Sequence, residues 1–196
     1  MTPSAPAKAE APKEKPPKLV IKSIRDLAGQ KATWRQPSPL RQEFEMHVND
    51  EVIATLRWKK VGGTSAIARA PEGTWTFKAA GYASPRVTIR LPNSDYDCAT
   101  FRTGANGNGT LTSLGDQRFT WRCVNFMQNA WAFFDDEDNK LVQISPELQG
   151  NKPTGNVEIG VKAASRQEIG FLVIFAWYLL VLVAEDVAAA NPPANP

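Results

Sequence analysis

Residues 169–184 read IGFLVIFAWYLLVLVA, sixteen consecutive positions without a charged side chain. A segment of this length that has no polar face predicts a helix surrounded on every side, either by lipid or by the rest of the protein. Charged residues flank the apolar run on both sides, so we expect the helix to extend over about residues 166–188. What surrounds this helix determines the fold.

Two properties of the apolar run argue against a membrane span. At about 1.5 Å per residue the run is roughly 24 Å long, about one turn short of a hydrocarbon core about 30 Å thick. Trp177 and Tyr178 stand near its middle, whereas the aromatic residues of membrane helices gather at the interfaces. A position inside the protein is the favoured interpretation, and a C-terminal membrane anchor stays open as the alternative.

The residues before the helix alternate between apolar and polar side chains. Residues 43–48 read EFEMHV, and residues 52–58, VIATLRW, resume the alternation with Val52 directed inward after a turn at Asn49-Asp50. This period of two is typical of strands with one buried face, and turns rich in Gly, Asn, Asp and Pro separate them at regular spacing. We predict eleven or twelve short strands from residue 33 onward.

The apolar helix and the large number of strands are consistent with one architecture. A closed barrel of eight strands is filled by its own side chains, whereas a barrel of eleven or more strands can enclose a helix. The sequence therefore predicts a mainly β fold over residues 33–188, a closed antiparallel barrel of about twelve strands with the hydrophobic C-terminal helix through its centre.

The two ends of the chain lack this patterning. Residues 1–18 are mainly Ala, Pro, Lys and Glu, which predicts a disordered tail. Residues 19–32 are a linker with room for one short helical turn at Ile24 and Leu27, and 189–196 form a second disordered tail. The first residues lack the apolar core of a signal peptide, so we expect a cytoplasmic protein.

The order of elements resembles the tubby C-terminal-like domains, the superfamily of tubby proteins, phospholipid scramblases and LURP-one-related proteins. The resemblance covers about residues 33–187 and includes the strand segments LRW (56–58), WTFK (75–78) and FTWR (119–122), which are similar to small uncharacterised prokaryotic members. It implies a barrel threaded by its C-terminal helix. Tubby proteins bind phosphoinositides through basic residues, but no position here matches that motif residue by residue.

Few side chains are suited to catalysis. His47 is the only histidine and we expect it to face outward, without an acidic or cysteine partner nearby in sequence. Cys98 and Cys123 belong to no paired motif, and neither has an evident base. A cytoplasmic protein of this size does not require a bridge between them. We expect a non-enzymatic protein without catalytic residues.

Two loops have compositions similar to those of ligand-binding loops, but each lacks a feature that such a loop requires. Residues 135–139, DDEDN, lack the glycine and the distal glutamate of an EF-hand, so we interpret them as a solvated hairpin loop. Residues 104–109, GANGNG, join two strands and open no helix, unlike a nucleotide-binding loop. We therefore predict no metal and no cofactor.

The charge is distributed unevenly along the chain. The total of +3 is too mild to indicate a nucleic-acid partner, but residues 51–125 carry a net charge of +5 and residues 126–196 a net charge of −5. Such a separation favours an anionic partner on one face of the barrel. The predicted binding residues for a lipid head group or a phosphorylated species are Arg57, Lys59, Lys60, Lys78 and Arg86.

The sequence thus predicts a non-enzymatic binding or scaffold domain, in the cytoplasm or peripheral to a membrane. The alternative is a tail-anchored or scramblase-like membrane protein that uses residues 169–184 as its membrane segment.

Overall fold

A computed structural model describes most of the 196-residue chain. The residues that it describes are 23–81, 86–127, 129–149 and 152–190. The predicted tail over 1–18 lies outside them, as does most of the tail predicted over 189–196.

Twelve antiparallel strands form a closed barrel. Each strand pairs with its neighbours in the sequence, and the first strand pairs with the last. The strands are β1 (Ala32–Arg35), β2 (Glu43–Val48), β3 (Glu51–Trp58), β4 (Ser65–Ala70), β5 (Gly73–Ala80), β6 (Arg86–Arg90), β7 (Asp97–Thr103), β8 (Gly109–Ser113), β9 (Arg118–Cys123), β10 (Trp131–Phe134), β11 (Lys140–Gln149) and β12 (Lys152–Ile159). Closure leaves no unpaired strand edge, and it confirms the predicted barrel.

The alternation of side chains explains which face each strand buries. In β2 the side chains of Phe44, Met46 and Val48 are buried, as predicted. A β-bulge after Met46 then shifts the pairing with β3, so Ile53 is fully buried and Val52 is only partly so. The expectation that Val52 points inward is therefore wrong, because a bulge changes the phase of a strand.

The helix α1 (Ile169–Ala190) lies inside the barrel. Between Leu172 and Leu182 every side chain except Leu180 is buried, which confirms the predicted enclosed helix. The helix begins at Ile169 rather than near 166, since Val161–Ser165 forms a separate 3₁₀ helix, and it continues to Ala190 beyond its predicted end.

The aromatic residues in the middle of α1 attach it to the barrel wall. The ring of Trp177 stacks on Trp34 of β1, with centroids 6.0 Å apart and planes 3° from parallel. Gly155 of β12 leaves room for this ring, because a Cβ there would lie 2.4 Å from a Trp177 ring carbon. The Tyr178 hydroxyl donates a 2.6 Å hydrogen bond to the Thr64 carbonyl. These contacts explain why Trp177 and Tyr178 stand at mid-helix rather than at a membrane interface.

A short 3₁₀ helix over Ile24–Leu27 lies against the beginning of α1. It falls where the sequence leaves room for one helical turn, and Ile24 and Leu27 are buried. The carboxylate of Glu72 accepts hydrogen bonds from the Ser23 hydroxyl at 2.8 Å and from the Ile24 N–H at 2.5 Å. The chain before β1 therefore packs against the end of the barrel where α1 begins.

Candidate functional site

The connections at the two ends of the barrel carry opposite charges. Consecutive strands are antiparallel, so the connections after odd-numbered strands lie at one end, where α1 also ends, and those after even-numbered strands lie at the other. The connections at the first end contain three basic residues and no acidic one; they are Arg41, Lys59 and Lys60. We call this the basic end.

The connections at the opposite end contain nine acidic and two basic residues. The acidic residues are Asp50, Glu72, Asp95, Asp116, Asp135, Asp136, Glu137, Asp138 and Glu168, and the basic residues are Lys162 and Arg166. We call this the acidic end. The connections therefore show a separation of charge along the barrel axis, in addition to the separation along the chain.

The predicted binding residues lie close to the basic end. Arg57 is the next-to-last residue of β3, Lys78 stands near the end of β5, and Arg86 begins β6. Lys59 extends β3 by one position, since its N–H donates a 2.8 Å hydrogen bond to the Ser65 carbonyl, and Lys60 follows in the turn. The outer surfaces of neighbouring strands therefore bring the predicted residues together.

Ion pairs divide the predicted residues into two groups. Arg57 Nε lies 2.8 Å from a carboxylate oxygen of Glu43, and Arg86 lies 3.8 Å from the carboxylate of Asp97. In the part of the chain that the structure describes, Lys59, Lys60 and Lys78 form no ion pair. The three lysines are the most available cations of the predicted set.

Sequence reasoning missed a further cation, Arg102 of β7. Its backbone stands directly opposite Arg86 in the barrel, and among the described residues it has no acidic partner. Only the strand register reveals this proximity, because the two arginines are far apart in the sequence. We call the set of Lys59, Lys60, Lys78, Arg86 and Arg102 the basic face.

Threonine hydroxyls surround the basic face. Thr88 stands between Lys78 and Thr100 on adjacent strands, and Thr110 opposes Arg102. Arg86 donates a hydrogen bond to the Thr100 hydroxyl at 3.3 Å. Guanidinium, ammonium and hydroxyl groups are the donors that phosphate oxygens accept from. The chemistry of this surface therefore suits an anionic ligand.

His47 has an acidic partner that sequence reasoning missed. Its Nε2 lies 3.0 Å from a carboxylate oxygen of Glu45, and the two side chains are only 16% and 19% exposed. The expectation of a histidine without such a partner is wrong, because residues two apart in a strand share one face.

Asp135 is the buried exception in the hairpin loop over residues 135–139, of which Asp136, Glu137 and Asp138 are exposed as predicted. The loop does connect β10 to β11, but the Asp135 side chain is only 3% exposed and lies 2.9 Å from Arg166. It also accepts hydrogen bonds from the N–H groups of Glu137 and Asn139. Burial alone would raise the pKa of Asp135, but the hydrogen bonds and the Arg166 charge outweigh it and lower that pKa. Asp135 therefore connects this loop to the segment before α1.

Among the described residues, no three His, Cys, Asp or Glu side chains are grouped to hold a metal ion.

An apolar groove of about 360 Å³ lies at the basic end, between α1 and strands β11 and β12. The residues that line it are Pro146, Glu147, Pro153, Trp177, Leu180, Val181 and Ala184. Glu185 lies one residue beyond this lining, and its carboxylate accepts a hydrogen bond from Gln42. Burial and the neighbouring charge of Asp186 raise the pKa of Glu185 to about 7.

No family model, curated protein or solved structure matches the chain. The resemblance to tubby C-terminal-like domains therefore stays a prediction. In the described part of the chain one stretch, Ile169–Val187 of α1, is long and apolar enough to cross a membrane, and 67% of its most apolar window is buried inside the protein.

Proposed function

We propose that the protein is a non-enzymatic binding domain that recognises anionic lipid head groups, or other phosphorylated ligands, through the basic face. The observation that supports this proposal is the cluster of exposed cations on the outer surface from β3 to β7. Among the described residues, Lys59, Lys60, Lys78 and Arg102 of this cluster have no ion pair. Such cations remain available to a ligand from outside.

The strength of such an interaction comes from the number of cations. Each lysine or arginine close to an anionic membrane surface contributes about 1 kcal/mol, and salt screens this contribution within about 10 Å. The five cations of the basic face would together give a salt-sensitive attachment on the order of 5 kcal/mol. A single phosphorylated ligand could engage only those cations within its reach.

The surroundings of the cysteines favour binding over catalysis. The Cys98 thiol donates a hydrogen bond to the Ile89 carbonyl at 3.2 Å, and burial raises its pKa. Both effects oppose formation of the nucleophilic thiolate. The Cys123 thiol likewise donates to a carbonyl, that of Asn125.

Sedimentation with vesicles tests the proposal on the full chain. Vesicles of phosphatidylcholine with phosphatidylserine should carry the protein into the pellet at low salt, and vesicles of phosphatidylcholine alone should not. Equal partitioning into both would refute recognition of a lipid charge. Competition by soluble inositol phosphates distinguishes binding of a single phosphorylated head group from binding of the charged membrane surface as a whole.

A matched pair of variants identifies the surface that binds. Arg102→Gln removes one cation of the basic face and should weaken binding about fivefold, equivalent to about 1 kcal/mol. Arg118→Gln is the control, because Arg118 is also exposed and lacks an ion pair among the described residues but begins β9 at the acidic end. Equal losses in the two variants would contradict the proposed face.

The tail-anchor alternative predicts a different result. A protein anchored by α1 would stay in the membrane fraction of expressing cells after alkaline carbonate extraction, whereas a peripheral protein would be released. The burial of α1 inside the barrel favours release.

A further inference from the structure

We infer that the basic end of the barrel inserts apolar side chains into the interface of an anionic bilayer, so that the acidic end points away from the membrane. This inference rests on the proposed function and adds to it the lipid bilayer as partner and the orientation of the barrel. We call the side chains that would insert, Leu40, Val61, Phe126 and Met127, the apolar rim.

The side chains of the apolar rim are largely exposed in the part of the chain that the structure describes. Leu40 is 88% exposed, Val61 and Met127 are each 79% exposed, and Phe126 is fully exposed. The four side chains belong to three separate connections, after β1, β3 and β9, which all lie at the end where α1 ends. The apolar groove lies at the same end. Apolar side chains that project together from one end of a molecule indicate an interaction surface.

Cations stand directly beside the rim. Lys59 and Lys60 precede Val61 in the chain, and Arg41 follows Leu40. An apolar side chain next to lysine or arginine suits the boundary between acyl chains and head groups, since the first enters the hydrocarbon and the second stays with the phosphates. The rim thus combines an apolar contact with charge complementarity to an anionic surface.

Exposure alone would not select this end. Tyr96, Leu114 and Val161 are also more than 70% exposed, and they lie in connections at the acidic end. The nine acidic residues of those connections would be repelled by anionic lipids. Charge therefore fixes the orientation, and the acidic end supplies matched control positions.

The acidic groups near the rim lie on regular elements rather than in its connections. Glu147 belongs to β11 and accepts a 2.7 Å hydrogen bond from Asn156. Glu185 and Asp186 belong to α1, and the raised pKa of Glu185 keeps its carboxyl group partly protonated near neutral pH. The basic end therefore has a lower negative charge than its composition indicates.

Fluorescent labelling measures which end inserts. A chain with Cys98→Ser and Cys123→Ser receives either Val61→Cys, at the rim, or Leu114→Cys, at the acidic end, and each new thiol is labelled with an environment-sensitive nitrobenzoxadiazole dye. The two original residues have similar exposure, 79% and 73%. Circular dichroism verifies that both labelled proteins are folded. The full chain is then mixed with phosphatidylcholine–phosphatidylserine vesicles.

The expected result is a blue shift, and quenching by brominated acyl chains, for the dye at position 61 and neither change at position 114. Sedimentation without any change at position 61 would overturn the inference and leave the proposed function standing. The same response at both positions, or a response only at 114, would also overturn it. Absence of sedimentation would refute both.

A second pair of variants measures the apolar contribution without a label. Val61→Ser with Phe126→Ser should weaken binding about tenfold or more, and the binding that remains should depend more strongly on salt. Tyr96→Ser with Leu114→Ser, at the acidic end, should change binding by less than about twofold. An equal loss in the two double variants would contradict insertion of the rim.

Discussion

Replacing Phe175 with alanine tests whether α1 is the core of the barrel. The Phe175 ring is fully buried and contacts rings on three strands: Phe77 of β5, Phe101 of β7 and Phe133 of β10, with centroid distances of 5.2, 5.5 and 6.0 Å. One helical residue thus joins distant parts of the barrel wall. Its truncation would leave a cavity bounded on all of these sides.

The expected loss is large because the cavity cannot collapse. Phe-to-Ala substitutions in protein cores cost about 3–5 kcal/mol, and the cost rises with the volume that stays empty. The rings around Phe175 belong to strands held by pairing on both edges, so we expect about 4–5 kcal/mol. For a protein of this size that corresponds to a melting temperature lower by about 8–20 °C.

Urea unfolding followed by circular dichroism and tryptophan fluorescence measures this loss. The matched control is Val183→Ala, on the same helix at a position 55% exposed, which should change the free energy of unfolding by less than about 0.5 kcal/mol. Similar small losses in both variants would refute the conclusion that the helix supports the barrel. A peripheral helix or a membrane anchor would give that result.

Four further predictions concern stability. Leu179→Asp should unfold the protein, because it puts a carboxylate at a buried position without a partner, and circular dichroism of the purified variant checks this. Gly155→Ala should cost about 1–3 kcal/mol in urea unfolding, since its Cβ would overlap the stacked ring of Trp177. Glu185→Gln should have the same free energy of unfolding as the wild type at pH 4.5 and a higher one at pH 8. The reason is that the native pKa of Glu185 is raised to about 7, so the wild type loses stability as the pH rises from 4.5 to about 7. Asp135→Asn should lower the free energy of unfolding by about 2 kcal/mol at pH 7. Because the native pKa of Asp135 is lowered, the difference in stability between variant and wild type should become smaller only below pH 3.8. A difference that does not change with pH would contradict the ion pair.

Hydrophobic patterning made most of the fold predictable. The alternation in EFEMHV and RFTWR is a local property of the sequence. The uninterrupted apolar run over 169–184 is longer than a strand and has no polar positions of the kind that an amphipathic helix requires. The bulge that buries Ile53 instead of Val52 was not predictable in this way. A bulge depends on how two strands pair, not on the residues of one strand.

The candidate site was less predictable than the fold. The Glu45–His47 pair was within reach of sequence reasoning, since positions two apart in a strand share a face. Arg102 was not, because its place opposite Arg86 depends on the register of β6 with β7, which itself shifts at a bulge near Ile89. Burial of Asp135 was likewise set by a distant residue, Arg166.

The sequence by itself determined that many short strands precede one apolar helix, and that this helix must be covered on all sides because it has no polar face. The tertiary structure decided that the barrel, rather than lipid, covers it. Only the tertiary structure decided that basic and acidic connections lie at opposite ends of the barrel. In an antiparallel barrel alternate connections lie at the same end, so Asp50 and Asp138 share one end although most of the barrel separates them in the chain. The alternating direction of the strands, rather than nearness in sequence, created the two groups of charged connections.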